Sequence, residues 1–239
     1  MKLEIVTHCW RYSRLLHYQL SSLYLFPPTV VQVMVCVYCA DREHDPLTAD
    51  VLDFFRHQQA PPTVVVDVRQ FEPPRLFRRA IGRHHAARRT TADWVWFTDC
   101  DMVFRDGAID SLADHLEATT ERLLYPRQVM LHRTHALGDA AIERAKGAKS
   151  CLDIDPSEFK PKQYSRAIGG VQIVLGSVVR EFGYCPEERW QRPADRWQRC
   201  TEDTAFRKRL GTKGTSIDVP NVFRMRHSEC GREVTGLQL

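Results

Sequence analysis

Long hydrophobic runs are missing from this 239-residue sequence. The longest apolar stretch, from Val30 to Ala40, is interrupted by Gln32 and is too short to span a bilayer. The amino-terminal segment carries Glu4 inside its short apolar run, which is untypical of a signal peptide. We therefore expect a cytoplasmic location, and peripheral contact of basic side chains with a membrane surface stays open as an alternative.

Paired cysteine motifs and a large excess of one charge are also missing. The eight cysteines include a single Cys-x-x-Cys, Cys36 and Cys39, with no second pair to complete a zinc site. The irregular spacing of the others indicates reduced thiols. The 34 basic residues are nearly balanced by 30 acidic ones, and no nucleic-acid-binding motif is present, so nucleic acid is not expected as a partner.

The first hundred residues do contain a regular alternation of short apolar runs and helical stripes. This order is typical of an α/β fold with a parallel sheet and helical crossovers, in which ligands bind at the carboxyl ends of the strands. The pattern predicts strands over Leu3–Thr7, Thr29–Cys39, Thr63–Val68 and Trp94–Thr98, and helices over Tyr12–Leu25, Ala49–His57 and Leu76–Arg89.

The pattern becomes looser after about residue 105. Residues 130–162 combine small residues, charges and prolines, and we predict a loop-rich or partly helical insert there. The remaining elements are predicted as strands over Val171–Leu175 and Ser216–Val222 and as helices over Ile109–Arg122, Ser177–Phe182 and Asp203–Leu210.

Two acids follow the fourth predicted strand directly. Asp99 and Asp101, separated only by Cys100, come after the apolar run that ends at Thr98. Two carboxylates this close repel each other unless a cation or an array of donors offsets their charge. A divalent cation that bridges them to phosphate oxygens would do so, whereas an Asp-x-Asp motif taken alone also fits a solvated turn.

Other motifs accompany the acids in a fixed order. Arg83 stands sixteen residues before Asp99, Gly169-Gly170 precedes the strand at 171–175, Glu202-Asp203 opens a helix, and His227 follows the last predicted strand. Taken together, these motifs resemble the glycosyltransferases of the GT-A fold, especially the family 2-like group. The resemblance extends from residue 3 to about residue 228.

This resemblance implies a GT-A, Rossmann-like nucleotide-diphospho-sugar transferase fold with a mostly parallel central sheet flanked by helices. It implies one domain over residues 1–239, with a nucleotide-sugar-binding half (1–105) and an acceptor-binding half (106–239). The implied activity is a hexosyltransferase reaction with inversion, from a UDP- or GDP-sugar to a glycan or lipid-linked acceptor. The expected donor-binding residues are Thr7, Cys9, Asp41, Arg83, Asp99, Cys100 and Asp101, with Asp45 as a rival to Asp41.

The resemblance also implies roles for single residues. A divalent metal, Mn²⁺ or Mg²⁺, is expected on Asp101 with help from Asp99 and His227, and Arg83 is expected to hold the diphosphate. Asp203 is the expected general base, with Glu202 orienting the acceptor or the base. Gly169 and Gly170 are expected on the acceptor side. The other arginines near Arg83 are interpreted as a solvated helix face: Arg75, Arg78, Arg79, Arg88 and Arg89.

Two alternatives stay open at this point. A nucleotidyltransferase would also place acids at strand ends, but it would carry a glycine-rich loop after the first strand, and Thr7 to Arg14 contains no glycine. A catalytically silent domain of the same fold would bind a nucleotide-sugar without turnover.

Overall fold

The computed structural model describes residues 1–197 and 201–228. Its strands are β1 (Lys2–His8), β2 (Gln32–Cys39), β3 (Val64–Gln70), β4 (Trp94–Phe97), β5 (Met102–Phe104), β6 (Leu123–Pro126), β7 (Gln128–His132), β8 (Phe159–Gln163), β9 (Gln172–Leu175), β10 (Thr215–Ile217) and β11 (Val222–Arg224). Its α-helices are α1 (Ser13–Leu25), α2 (Pro46–His57), α3 (Pro73–Leu76), α4 (Arg79–Arg89), α5 (Ala108–Glu117), α6 (His135–Arg144), α7 (Gly176–Phe182), α8 (Glu188–Gln191) and α9 (Glu202–Leu210), and a 3₁₀ turn covers Pro156–Glu158.

Over the described residues the strands form two sheets. The larger has seven strands in the order β10-β6-β9-β4-β1-β2-β3, and the smaller has four in the order β5-β11-β7-β8. In the larger sheet every pairing is parallel except those of β9 with β4 and β6. The predicted α/β class, with a mostly parallel central sheet flanked by helices, is confirmed.

The core follows from the composition of the central strands. Ile5 of β1 pairs in register with Trp96 of β4, and both are fully buried. Strands that carry helices on both faces are apolar on both faces, which explains why β4 reads Trp-Val-Trp-Phe without alternation. The sheet therefore fixes the carboxyl ends of β1 and β4 side by side at one edge.

The smaller sheet brings a late segment of the chain to that same edge. β11 pairs antiparallel with β5, with Arg224 opposite Met102. The backbone N–H of Met225 also donates to the carbonyl of Asp101 at 2.8 Å. Residues 222–227 therefore lie directly beside the turn that follows β4.

Several predicted elements differ from those observed. The helix predicted over 76–89 is two helices, because Pro73 and Pro74 start a separate turn before α4. The helix predicted over 109–122 ends at Glu117, and β6 follows it.

The insert predicted as loop-rich or partly helical over 130–162 contains the helix α6, and it also contains parts of two strands that were not predicted, β7 and β8. β8 reads Phe-Lys-Pro-Lys-Gln, an edge strand whose lysines and proline carry no apolar alternation. The strand predicted over 216–222 is two strands, β10 and β11, in different sheets, separated by a turn in which Asn221 has φ of 56°.

No described helix is both long and apolar enough to cross a bilayer. The cysteines within the described residues, Cys9, Cys36, Cys39, Cys100, Cys151 and Cys185, are free thiols. Cys200 and Cys230 lie outside the described residues. The predicted division of the domain at residue 105 stays a prediction.

Candidate functional site

A cavity of about 330 Å³ opens at the carboxyl ends of β1 and β4. Its walls come from the segments that follow β1, β4 and β11 and from the start of α4. The charged and imidazole side chains that line it are His8, Arg79, Asp99, Asp101, Arg224, Arg226 and His227, and the aromatic ones are Trp10, Tyr12 and Trp197. The site thus lies at the sheet edge where the sequence predicted ligand binding.

Asp99 lies at the centre of a group of arginines. Its Oδ1 is 2.7 Å from Nη1 of Arg79 and 3.3 Å from Nη2 of Arg83, and its Oδ2 is 3.7 Å from Nη2 of Arg224. Burial by itself would raise the pKa of Asp99, but the three guanidinium groups outweigh it and hold that pKa below its ordinary value. Asp99 is therefore an ionised acceptor at neutral pH.

Asp101 is paired with a single arginine. Nε of Arg224 donates to Oδ2 of Asp101 at 2.9 Å. The other oxygen of Asp101, Oδ1, is buried and accepts no hydrogen bond from any described residue. Both carboxylates of the Asp-x-Asp motif therefore contact Arg224.

Arg83 lies beneath the cavity and does not line it. Its side chain is fully buried, and its guanidinium donates to the hydroxyl of Tyr184 at 2.9 Å and to the carbonyl of Thr98 and Oδ1 of Asp99, each at 3.3 Å. This geometry suits a residue that positions Asp99 from below. The predicted direct contact of Arg83 with a diphosphate has no support in this arrangement.

Arg79, one helical turn before Arg83, does line the cavity. It was interpreted as part of a solvated helix face, yet its side chain is only 19% exposed, lines the cavity and contacts both Asp99 and Glu202. Arg79 and Arg83 are four residues apart, so they share one face of α4. This spacing was the available signal that Arg79 contacts the same acid, Asp99, as Arg83 does.

The glycine pair packs against the Asp-x-Asp turn. A Cβ on Gly170 would lie 2.9 Å from the backbone N of Asp99 and 3.3 Å from its Oδ2. Gly169 has φ of +49°, in the left-handed region that favours glycine. Its N–H donates to Oδ2 of Asp203 at 3.2 Å, so the pair connects Asp99 with the acids of α9.

The two acids at the start of α9 point in different directions. Oε1 of Glu202 is 3.4 Å from Nη2 of Arg79, and the residue is almost fully buried. Oδ2 of Asp203 is 3.4 Å from Nη1 of Arg207, and its side chain is 21% exposed. Neither lines the cavity. Glu202 contacts Arg79, which lines the cavity, whereas Asp203 accepts a hydrogen bond from Gly169.

The other predicted donor-binding residues separate into two groups. Cys9 and Cys100 line the cavity, whereas Thr7 is fully buried behind it. Asp41 lies outside the cavity and pairs with His44 at 2.7 Å. Its rival Asp45 caps α2, where its side chain accepts from the backbone N–H of Thr48.

Two histidines face the cavity. The ring nitrogens of His8 and Nδ1 of His227 are buried and make no hydrogen bond within the described part of the chain. Burial, together with the charges of Arg83 and Arg79, holds the pKa of His8 well below its ordinary value. His8 is therefore neutral and offers a ligand one donor and one acceptor.

The predicted metal ligands, Asp99, Asp101 and His227, all line the cavity. The unpartnered Oδ1 of Asp101 and Nδ1 of His227 are suitable atoms for a cation. However, arginines pair with both carboxylates, and in 1–197 and 201–228 no three acidic, histidine or cysteine side chains are grouped closely enough to hold a metal ion. The side chains as arranged do not form a metal site, and binding of Mn²⁺ or Mg²⁺ stays a prediction.

Known structures share this fold. S. aureus TarS 1–349 in complex with UDP-GlcNAc matches 99% of the chain with a TM-score of 0.61 and 13% identity. TarS 1–349 alone matches 94% with a TM-score of 0.58 and 13% identity, and its complex with UDP matches 93% with 0.56 and 13%. The matches span 60% to 62% of the TarS 1–349 chains. The predicted GT-A fold is confirmed. No protein-family model and no curated sequence matches this chain.

Sequence reasoning missed Arg79, Arg224 and the facing imidazole of His8. Arg224 belongs to no recognised motif and reaches Asp101 only because β11 pairs with β5. His8 lies one residue beyond the predicted end of the first strand, between the predicted Thr7 and Cys9. For His8 the signal was its position at a strand end, whereas Arg224 carries no local signal.

Proposed function

We propose that this protein is a glycosyltransferase that transfers a sugar from a nucleotide-diphosphate donor to a hydroxyl group of a glycan or lipid-linked acceptor. The observation that carries the proposal is the cavity at the carboxyl edge of the sheet, in which the Asp-x-Asp acids face guanidinium groups. The GT-A fold supports it. TarS has been crystallised with UDP-GlcNAc and with UDP, which supports a UDP-sugar ahead of a GDP-sugar as the donor.

The cationic side chains of the cavity would bind the donor's diphosphate. Arg79 and Arg224 carry rigid forks of N–H donors that match phosphate oxygens. The same groups would stabilise the charge that builds on the diphosphate as it leaves. Trp10, Tyr12 and Trp197 line the same cavity and provide aromatic surfaces for the nucleobase or the sugar.

Asp203 would act as general base in this reaction. The acceptor oxygen would bond to the anomeric carbon while the bond from that carbon to the diphosphate oxygen breaks, and the hydroxyl proton would pass to Asp203. Direct displacement inverts the anomeric centre. The bond from Gly169 to Oδ2 of Asp203 would hold the carboxylate at the sugar end of the site, since Gly170 lies against Asp99.

Nucleotide binding is the first test. Calorimetric titration with UDP, GDP, CMP and dTDP, with and without Mn²⁺, should give tight binding of one nucleotide to the wild type. Asp101→Ala should weaken it, because the guanidinium of Arg224 loses the carboxylate that orients it at the cavity wall. Asp218→Ala is the matched control, since Asp218 is exposed and pairs with Arg127 outside the cavity. No binding of any nucleotide under either condition would refute the proposal.

Product analysis distinguishes the alternatives. A glycosyltransferase releases a nucleoside diphosphate from a nucleotide-sugar, while a nucleotidyltransferase releases pyrophosphate from a nucleoside triphosphate and a sugar phosphate. A silent domain binds the nucleotide-sugar and releases neither product. A hexosyl donor, a cytoplasmic location and contact with a membrane surface stay predictions of the same proposal.

A further inference from the structure

Backbone pairing places Arg224 beside the Asp-x-Asp turn. Arg224 is the last residue of β11 and stands opposite Met102 of β5, which follows Asp101 directly. The next residue, Met225, donates its N–H to the carbonyl of Asp101 at 2.8 Å. These backbone bonds fix the Cα of Arg224 next to the acids, so its side chain reaches them without a long flexible segment.

The guanidinium of Arg224 bridges the two acids. Nε is 2.9 Å from Oδ2 of Asp101, and Nη2 is 3.7 Å from Oδ2 of Asp99. The side chain is one third exposed and lines the cavity. Its positive charge therefore lies between the same two carboxylates that the sequence assigned to a divalent cation.

In the part of the chain that the structure describes, three carboxylates and three guanidinium groups surround the Asp-x-Asp turn. Asp99, Asp101 and Glu202 face the guanidinium groups of Arg79, Arg83 and Arg224. A divalent ion between the carboxylates would bring its two charges close to Arg224, and that repulsion would weaken its binding. A metal ion was predicted from the sequence because Asp99 and Asp101 repel each other. In the structure, the positive charges of the arginines offset that repulsion.

Arg224 also retains the capacity to bind a ligand. A guanidinium carries five N–H donors, and the contacts with Asp101 and Asp99 involve only Nε and Nη2. Arg79 lines the opposite side of Asp99, with Nη1 on Oδ1. Two arginines thus flank the Asp-x-Asp turn from two directions and both face the cavity.

We propose that Arg224 takes the place of a divalent cation in this site and, together with Arg79, binds the donor diphosphate without a metal ion. This inference rests on the proposed function, because it assumes a donor diphosphate in the cavity. It also predicts what happens when Arg224 is removed. Oδ1 of Asp101 and Nδ1 of His227, which make no hydrogen bond to the described residues, would then be joined by a free Oδ2 and could ligate a cation.

The experiment compares diphosphate binding in EDTA and in Mn²⁺. The probes are inorganic pyrophosphate, which is independent of the base, and the nucleotide that binds best among UDP, GDP, CMP and dTDP. The variants are wild type, Arg224→Gln, Arg224→Lys and the control Arg127→Gln, which breaks an exposed ion pair with Asp218 outside the cavity. Direct Mn²⁺ binding is measured by electron paramagnetic resonance without a nucleotide, and circular dichroism melting verifies that each variant is folded.

The wild type should bind the nucleotide in EDTA within about threefold of its affinity in Mn²⁺. Arg224→Gln should lose about tenfold to a hundredfold in EDTA, the range expected for a charge-assisted bond. Arg224→Lys should lose less, because it keeps the charge without the fork. Arg224→Gln should bind free Mn²⁺ more tightly than the wild type, and Mn²⁺ should restore part of its nucleotide affinity.

Two results would overturn the inference. Nucleotide binding by the wild type that disappears in EDTA would show that a metal is required, and the proposed function would stand. Equal Mn²⁺ affinities of folded Arg224→Gln and wild type would show that Arg224 does not occupy the cation position. The absence of any binding, with or without metal, would instead remove the proposed function together with this inference.

Discussion

Arg83 and Arg79 provide a matched pair of substitutions on one face of α4. Replacing Arg83 with Met removes a fully buried guanidinium together with its bonds to Tyr184, Thr98 and Asp99. Removing one member of a buried ion pair costs about 3–5 kcal/mol when the remaining charge has no other partner. Here Asp99 keeps Arg79, so we expect the lower end, about 3 kcal/mol. At roughly 2–4 °C per kcal/mol for a chain of this size, the melting temperature should fall by about 6–12 °C.

Arg79→Met should differ from Arg83→Met chiefly in nucleotide affinity. Asp99 retains Arg83 and Arg224, but the almost fully buried Glu202 loses its ion-pair partner, so a loss of about 3 kcal/mol in the free energy of unfolding is expected for Arg79→Met as well. Nucleotide affinity should fall at least about tenfold, because Arg79 is the arginine that lines the cavity. Urea unfolding and calorimetric nucleotide titration on both variants measure the two quantities. An Arg83→Met protein that is as stable as the wild type but no longer binds nucleotide would refute this assignment and restore Arg83 as the phosphate-binding residue.

Three further predictions concern other parts of the site and its support. Gly170→Ala should displace the turn at Asp99, because its Cβ would lie 2.9 Å from a backbone nitrogen, and should weaken nucleotide binding by about tenfold in calorimetry; unchanged affinity would contradict the close packing. Burial holds the pKa of His132 at about 4 against an ordinary 6.5, so the unfolded chain takes up the proton first. The contribution of His132 to the free energy of unfolding is fully present above about pH 6.5 and falls by roughly 3 kcal/mol towards pH 4. Urea unfolding should therefore show a smaller loss of stability with falling pH in His132→Gln than in the wild type, and equal losses in the two proteins would contradict this. Asp203→Asn should retain donor affinity but lose about 10²–10⁴-fold in sugar transfer, and unchanged turnover would exclude Asp203 as the base.

The sequence predicts the parts of the fold that depend on local pattern. β4 was identified because four apolar residues stand together, and Asp99 and Asp101 because they interrupt that run abruptly. The parallel direction of β1, β2, β3 and β4 was predicted from the helices that lie between them in the sequence. β8 was not predicted, because it is a mostly exposed edge strand and its sequence therefore shows no alternation of apolar and polar residues.

The sequence pattern could not predict which arginine of α4 is buried and which one lines the cavity. Arg79 and Arg83 have equivalent places in the helical repeat, so the pattern cannot tell which one lies under the sheet edge. The difference between the two arginines depends on Tyr184, which lies 101 residues after Arg83 and whose hydroxyl accepts a hydrogen bond from the Arg83 guanidinium. Arg83 is thereby held in the interior, and Arg79, one turn earlier, reaches the cavity.

The position of the late segment 222–227 also depends on contacts between residues that are far apart in the sequence. Asp101 and Arg224 are 123 residues apart, and the pairing of β11 with β5 brings them together. Among the described residues, three arginines pair with the carboxylates of Asp99, Asp101 and Glu202, and a fourth, Arg226, lines the same cavity. Without β11 that balance is reversed, because the three acids would face only Arg79 and Arg83. A diphosphate carries negative charge, so the cavity can attract it only when the small sheet has formed. We therefore expect donor binding to require the small sheet.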